Sequence, residues 1–189
     1  MAGANTEFSC IILAGGRGQR MHGSDKGLVE FRGRPLIEHV IDIVTPQVSD
    51  IVISANRNLP RYQSYGFPVI TDSIEGFAGP LAGIASALPA CKHNWVLVTP
   101  CDMPFLPGDL VTTLYDTRNH GSLVAIEAGG RLQLVFLLRK NLLDSISAFL
   151  RGGRNSVMSW LESQPHHRVE FSTQARAFDN FNSPLDLET

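Results

Sequence analysis

The chain has 189 residues, a formal net charge of −2, and 43% hydrophobic against 18% charged residues. That length suits one domain, residues 1–189, around one core, and the composition is that of a soluble globular protein. With no basic excess, nucleic acid is not expected as a partner.

In chain order, residues 10–14 read as a first strand, a short apolar run. Residues 37–44 place Ile37, Val40, Ile41 and Val44 at helical spacing. Residues 50–54 read as a second strand and 67–71 as a short third, with Pro68 suited to its start. Residues 81–88 form a small-residue helix. Residues 95–99 are continuous and apolar, as in a strand buried on both faces. A helix over 109–115 precedes two strands, 122–127 and 132–137, which flank a Gly129-Gly130 turn and pair antiparallel. Helices over 142–150 and 156–162 and a late strand at 169–171 complete the chain. No internal repeat, low-complexity tract or linker interrupts it. The β-α-β alternation predicts a three-layer α/β/α, Rossmann-like fold with a mostly parallel sheet and a small antiparallel part.

Ligands of such sheets bind beyond the carboxyl ends of the strands. The first strand delivers Leu13-Ala14-Gly15-Gly16-Arg17-Gly18-Gln19-Arg20-Met21-His22-Gly23-Ser24-Asp25-Lys26. Glycines let backbone N–H groups approach an anion closely, and Arg and Lys supply cationic donors. A polyphosphate calls for this combination. It is not a P-loop, because Lys26 precedes Gly27 and Leu28 stands where a hydroxyl is needed. It is not a dinucleotide fingerprint either, because Met21 replaces the third glycine.

Two more strand ends carry polar residues: Thr71-Asp72, and Thr99-Pro100-Cys101-Asp102-Met103-Pro104. Mg²⁺ wants one or two carboxylates plus phosphate oxygens and water. Asp102 is the best single candidate for it, against the ordinary role of Asp in turns and caps. Asp72 carries a weaker signal, being ordinary turn composition. Gly79-Pro80-Leu81-Ala82-Gly83 suits both a close approach to a base or ribose and a helix start with Pro in its first turn.

Three cysteines, Cys10, Cys91 and Cys101, are widely spaced with no C-x-x-C. They suggest neither a disulfide framework nor a zinc site and fit a reducing cytoplasm. Cys101 has no His placed beside it and reads as a packed thiol. His166-His167 reads as a solvated surface pair. Neither a signal peptide nor a membrane span is visible, so a cytoplasmic protein with no membrane partner is expected.

Leu13-Ala14-Gly15-Gly16-x-x-x-Arg20-Met21 with Asp25-Lys26-Gly27-Leu28 resembles the signature of the molybdenum cofactor guanylyltransferases. Matching segments continue in the same order nearly to the end: Gly33-Arg34-Pro35-Leu36, Pro46-Gln47-Val48, Ser54-Ala55-Asn56-Arg57, Gly79-Pro80-Leu81-Ala82-Gly83, Pro100-Cys101-Asp102-Met103-Pro104 and Asn180-Phe181-Asn182-Ser183-Pro184-x-Asp186-Leu187.

The resemblance implies a nucleotidyltransferase fold and transfer of GMP from GTP to the terminal phosphate of molybdopterin, with release of pyrophosphate. It implies Leu13, Ala14, Gly15 and Gly16 along the nucleotide, Lys26 on its phosphates, and Ser54 and Asp72 in contact with GTP. Asp102 would hold nucleotide and Mg²⁺, and Asn180 and Asn182 would lie toward the pterin. Arg20 and Lys26 would stabilise the departing pyrophosphate, with Asp102 completing the catalytic set. Both substrates ionise without help, so no general base is required. Beyond GTP and molybdopterin, the implied partners are molybdoenzymes, their chaperones or other proteins of cofactor biosynthesis.

The chain departs from the family pattern at His22, which replaces a usual glycine, and at Ser54, where some members carry Asn. His22 is expected to be accommodated without loss of activity. Two alternatives stay open: the cytidylyltransferase of the same pathway, which usually shows Ala-Ala-Gly-x-Ser in the first loop, and a non-catalytic nucleotide- or cofactor-binding chaperone on the same fold.

Overall fold

The computed structural model describes residues 7–14, 25–72, 79–119, 121–171, 175–179 and 181. Its main sheet has seven strands: β1 (Phe8–Leu13), β4 (Asp50–Ser54), β5 (Val69–Ile70), β6 (Trp95–Pro100), β7 (Leu123–Ala128), β8 (Arg131–Arg139) and β9 (His167–Glu170). Their order is β5-β4-β1-β6-β8-β7-β9. Only β8 runs against the rest. A separate two-strand hairpin joins β2 (Glu30–Phe31) to β3 (Arg34–Pro35). The mostly parallel sheet with one antiparallel strand is the expected architecture.

The central strands bury both faces because consecutive apolar side chains point to opposite sides. Cys10 and Ile12 of β1, Ile51 and Ile53 of β4, and Leu97 of β6 enter one core. Ile11 and Leu13, Val52, and Val96 and Val98 enter the other. The first core is capped by α1 (Leu36–Val44), α2 (Leu59–Gln63) and α4 (Leu110–Asp116) through Ile37, Val40, Val44, Tyr62, Leu110, Val111 and Leu114. The second is capped by α3 (Pro80–Ala87), α5 (Leu143–Arg151) and α6 (Val157–Ser163). Each fully buried aliphatic side chain in these layers contributes about 1.5–3 kcal/mol of transfer free energy.

The β7–β8 connection is the two-residue Gly129-Gly130 turn, with Ala128 paired to Arg131. Both glycines have positive φ, 58° and 72°, as a type I′ turn requires. Pro80 occupies the first turn of α3, as its sequence position suggests. The third strand is shorter than expected, two residues within 67–71. The last strand begins earlier than expected, at His167. His166 and His167 are half-buried rather than fully solvated, and His166 takes part in contacts with the Gln164 carbonyl and Arg168.

Candidate nucleotide site

The register of the sheet brings four strand ends to one edge. Leu13 pairs with both Ser54 and Pro100, and Ser54 pairs with Ile70. Backbone bonds carry the pairing one step further: the Ala14 amide donates to Ser54 O at 2.8 Å, Cys101 N to Leu13 O at 3.1 Å, and Ala55 N to Ile70 O at 3.0 Å. Whatever follows each strand therefore lines a common crevice at the carboxyl edge. Leu13, Ala14, Ser54, Asp72 and Asp102 all fall there.

Lys26 joins them from a different element. Residues Lys26–Leu28 form one turn of 3₁₀ helix after Asp25. The Lys26 ammonium donates to Asp102 Oδ2 at 3.2 Å. Asp102 is only 5% exposed, and its Oδ1 is buried with no hydrogen-bond partner among the described residues. Burial pushes its carboxyl above the usual carboxylate range, and the Lys26 charge opposes that shift. A buried carboxylate oxygen without a partner is costly for folding. It is also the atom a hard cation would coordinate. Among the described residues no group of three or more His, Cys, Asp or Glu could hold a metal by itself. One carboxylate oxygen fits a Mg²⁺ whose other ligands are phosphate oxygens and water.

Two glycines make the approach possible. A methyl group at Gly27 would lie 2.7 Å from Tyr62 Oη and 3.2 Å from Cys101 Sγ, so only glycine lets the lysine turn sit against the residue preceding Asp102. A methyl group at Gly83 of α3 would lie 2.5 Å from Ser54 Oγ and 3.3 Å from Asp72 Oδ1. Helix α3 thus packs its backbone onto Ser54 and Asp72. Asp72 is further fixed by Asn56: Asn56 Nδ2 donates to Asp72 Oδ2, and Asp72 N donates to Asn56 Oδ1, both at 2.8 Å.

Asp25 is anchored as firmly. Tyr62 Oη donates to Asp25 Oδ1 at 2.6 Å and Asn58 Nδ2 to Asp25 Oδ2 at 2.9 Å, with Arg57 Nε at 3.5 Å from Oδ2. Burial raises the Tyr62 phenol well above its ordinary pKa, so it stays a neutral donor. At the other side of Asp102, the Phe181 amide donates to the Asp102 carbonyl at 3.1 Å. The Phe181 ring packs on Phe31 and Phe105.

Of the sequence-predicted site residues, Leu13, Ala14, Lys26, Ser54, Asp72 and Asp102 share this edge. Gly15, Gly16, Arg20, Asn180 and Asn182 lie outside the described residues, as does His22. Sequence reasoning missed the parts played by Asn56, Asn58 and Tyr62. Their partners lie 16 to 37 positions away, and no local spacing signals them. Cys101 is a buried thiol raised by burial, in keeping with a packing role.

An open, mostly parallel sheet gathers a lysine–aspartate pair at its carboxyl edge, and similarity to known proteins places this architecture in the nucleotidyltransferase class. A molybdopterin-guanine dinucleotide biosynthesis protein A from Archaeoglobus fulgidus superposes with a TM-score of 0.77, covering 95% of both chains at 22% identity. Residues 10–169 match the family described as MobA-like NTP transferase domain. Molybdenum cofactor guanylyltransferases from Shewanella woodyi and Cupriavidus pinatubonensis are 45% and 43% identical. The alignments cover 94% and 98% of this chain, and 92% and 97% of those proteins. The chain belongs to the molybdenum cofactor guanylyltransferase family, and it is a nucleotidyltransferase.

Proposed function

We propose that this chain transfers GMP from GTP to the terminal phosphate of molybdopterin, releasing pyrophosphate and forming the guanine dinucleotide cofactor, with residues 1–189 acting as one domain. The observation that carries the site assignment is the Lys26–Asp102 pair, whose Asp102 Oδ1 has no hydrogen-bond partner among the described residues.

Asp102 would hold Mg²⁺ through Oδ1, where the cation would supply charge neutralisation between two phosphate-bearing substrates. Lys26, bonded to Oδ2 of Asp102 and 30% exposed, brings its ammonium charge to the nucleotide phosphates. Arg20 adds a second cation toward the leaving pyrophosphate. Leu13, Ala14, Gly15 and Gly16, with Ser54 and Asp72, are the nucleotide-binding residues in this reading. Asn180 and Asn182 flank Phe181, whose amide is bonded to Asp102 O, and this supports an acceptor-side position for them. The attacking phosphate is already ionised near neutral pH, so the site needs neither a general base nor a covalent intermediate. Among the described residues no helix is long and apolar enough to cross a membrane.

Pyrophosphate release is followed with GTP, molybdopterin and Mg²⁺, each omitted in turn. Release that requires all three, and stops on chelation of the metal, is expected. Turnover undiminished by chelation contradicts the role given to Asp102.

A further inference from the structure

We infer that Tyr62, with Asn58, is a positioning residue for Lys26, acting through the buried carboxylate of Asp25. The inference rests on the proposed transfer reaction and extends it to the helix that carries Tyr62.

Tyr62 is fully buried on α2, the short helix that follows the strand carrying Ser54. Its hydroxyl meets the residues on both sides of Lys26. It donates to Asp25 Oδ1 at 2.6 Å, and it is the atom nearest to where a Gly27 side chain would begin. Asn58 occupies the other carboxylate oxygen at 2.9 Å. It stands at the N-terminal boundary of α2 with φ of 51°, a left-handed conformation that Asn tolerates. Asp25 O in turn accepts from Leu28 N at 2.9 Å, which closes the turn that bears Lys26.

The lysine is therefore held at its base by Asp25 and Gly27 and at its tip by Asp102. The tip contact is the one a nucleotide phosphate competes for, so the base must keep the ammonium aimed while that contact loosens. Among the described residues, the network of Tyr62, Asn58 and Arg57 around Asp25 is placed to do so. A misplacement of about 1 Å at a positioned group costs up to roughly 100-fold in rate. Tyr62→Phe removes one donor without opening a cavity.

A double-mutant cycle separates positioning from general loosening. The wild type, Tyr62→Phe, Lys26→Ala and the double variant are assayed for kcat and KM with saturating molybdopterin. The expected result is a kcat loss of about tenfold in Tyr62→Phe with the KM for GTP little changed. In the Lys26→Ala background, Tyr62→Phe is expected to add less than about a twofold loss. Asn58→Gly keeps the left-handed backbone, removes the amide donor and is expected to behave in the same way, which covers the case of a poorly folded Tyr62→Phe. Multiplicative losses, or an unchanged kcat in both variants, overturn the inference while wild-type turnover leaves the reaction standing. A wild type that does not turn over GTP at all overturns the reaction and this role together.

Discussion

Lys26 Nζ and Asp102 Oδ2, 76 positions apart in the chain, stand 3.2 Å from each other at the carboxyl edge of the sheet. The second oxygen of that carboxylate is buried without a hydrogen-bond partner among the described residues. A half-satisfied buried acid is poor structural engineering and good preparation for a ligand.

Asp102→Asn is expected to lower transfer by more than about 100-fold without lowering thermal stability. The amide loses the charge that a divalent cation needs but keeps the size, and it relieves the desolvation of a buried carboxylate. Lys26, partly exposed, can be hydrated in its place. Pyrophosphate release and a melting curve on the same preparation check both halves. A variant that melts far below the wild type would make Asp102 chiefly structural.

Lys26→Ala is expected to reduce kcat strongly while the protein melts within a few degrees of the wild type. Lys26→Arg should restore only part of the rate, because a planar guanidinium does not replace a compact ammonium beside Asp102. Steady-state rates of the two variants decide this. An unchanged kcat in Lys26→Ala removes the lysine from the phosphate site.

Gly83→Ala places a methyl group 2.5 Å from Ser54 Oγ. Relieving that overlap costs about 1–3 kcal/mol and displaces Ser54 and Asp72 together. Weaker GTP binding and a lower melting temperature are expected. Adding Ser54→Ala should recover part of the stability, since the clash is with the hydroxyl. Denaturant titration of the two variants tests the coupling, and a double variant less stable than Gly83→Ala would refute it.

All three cysteines are buried as free thiols. Burial raises each of them, Cys91 to about 12 and Cys10 and Cys101 well above the ordinary thiol value. At pH 8 the native protein should therefore react negligibly with a thiol reagent over minutes, and the unfolded chain should titrate three equivalents. Rapid native labelling at Cys101 would show that the Gly27 contact opens in solution.

The legible parts of the fold were those whose apolar pattern is dictated locally. β1, β4 and β6 are built on short apolar runs, 10–13, 51–53 and 95–98, and the β7–β8 hairpin announces itself through Gly129-Gly130. Helix α2 was not legible, because five residues with Pro60 and a single buried side chain, Tyr62, leave no periodicity to read. β9 alternates half-buried and exposed residues and carries mostly polar side chains, so its start was missed. In the site, Lys26, Asp72 and Asp102 were legible because they follow strands or fall in a glycine-rich segment, whereas Ser54, the last residue of β4, was reached only through the family resemblance. Asn56 and Tyr62 were not, because their value lies in carboxylates brought to them by the fold.

The most direct test is nucleotide choice. Purified protein, Mg²⁺ and molybdopterin are mixed with GTP or CTP, and both pyrophosphate and the dinucleotide product are followed. Turnover with GTP and at least about 100-fold less with CTP is expected, because a base-reading site rejects a base that leaves its polar groups unpaired. Equal or greater turnover with CTP, or tight GTP binding with no turnover, would contradict guanylyl transfer as the function of this chain.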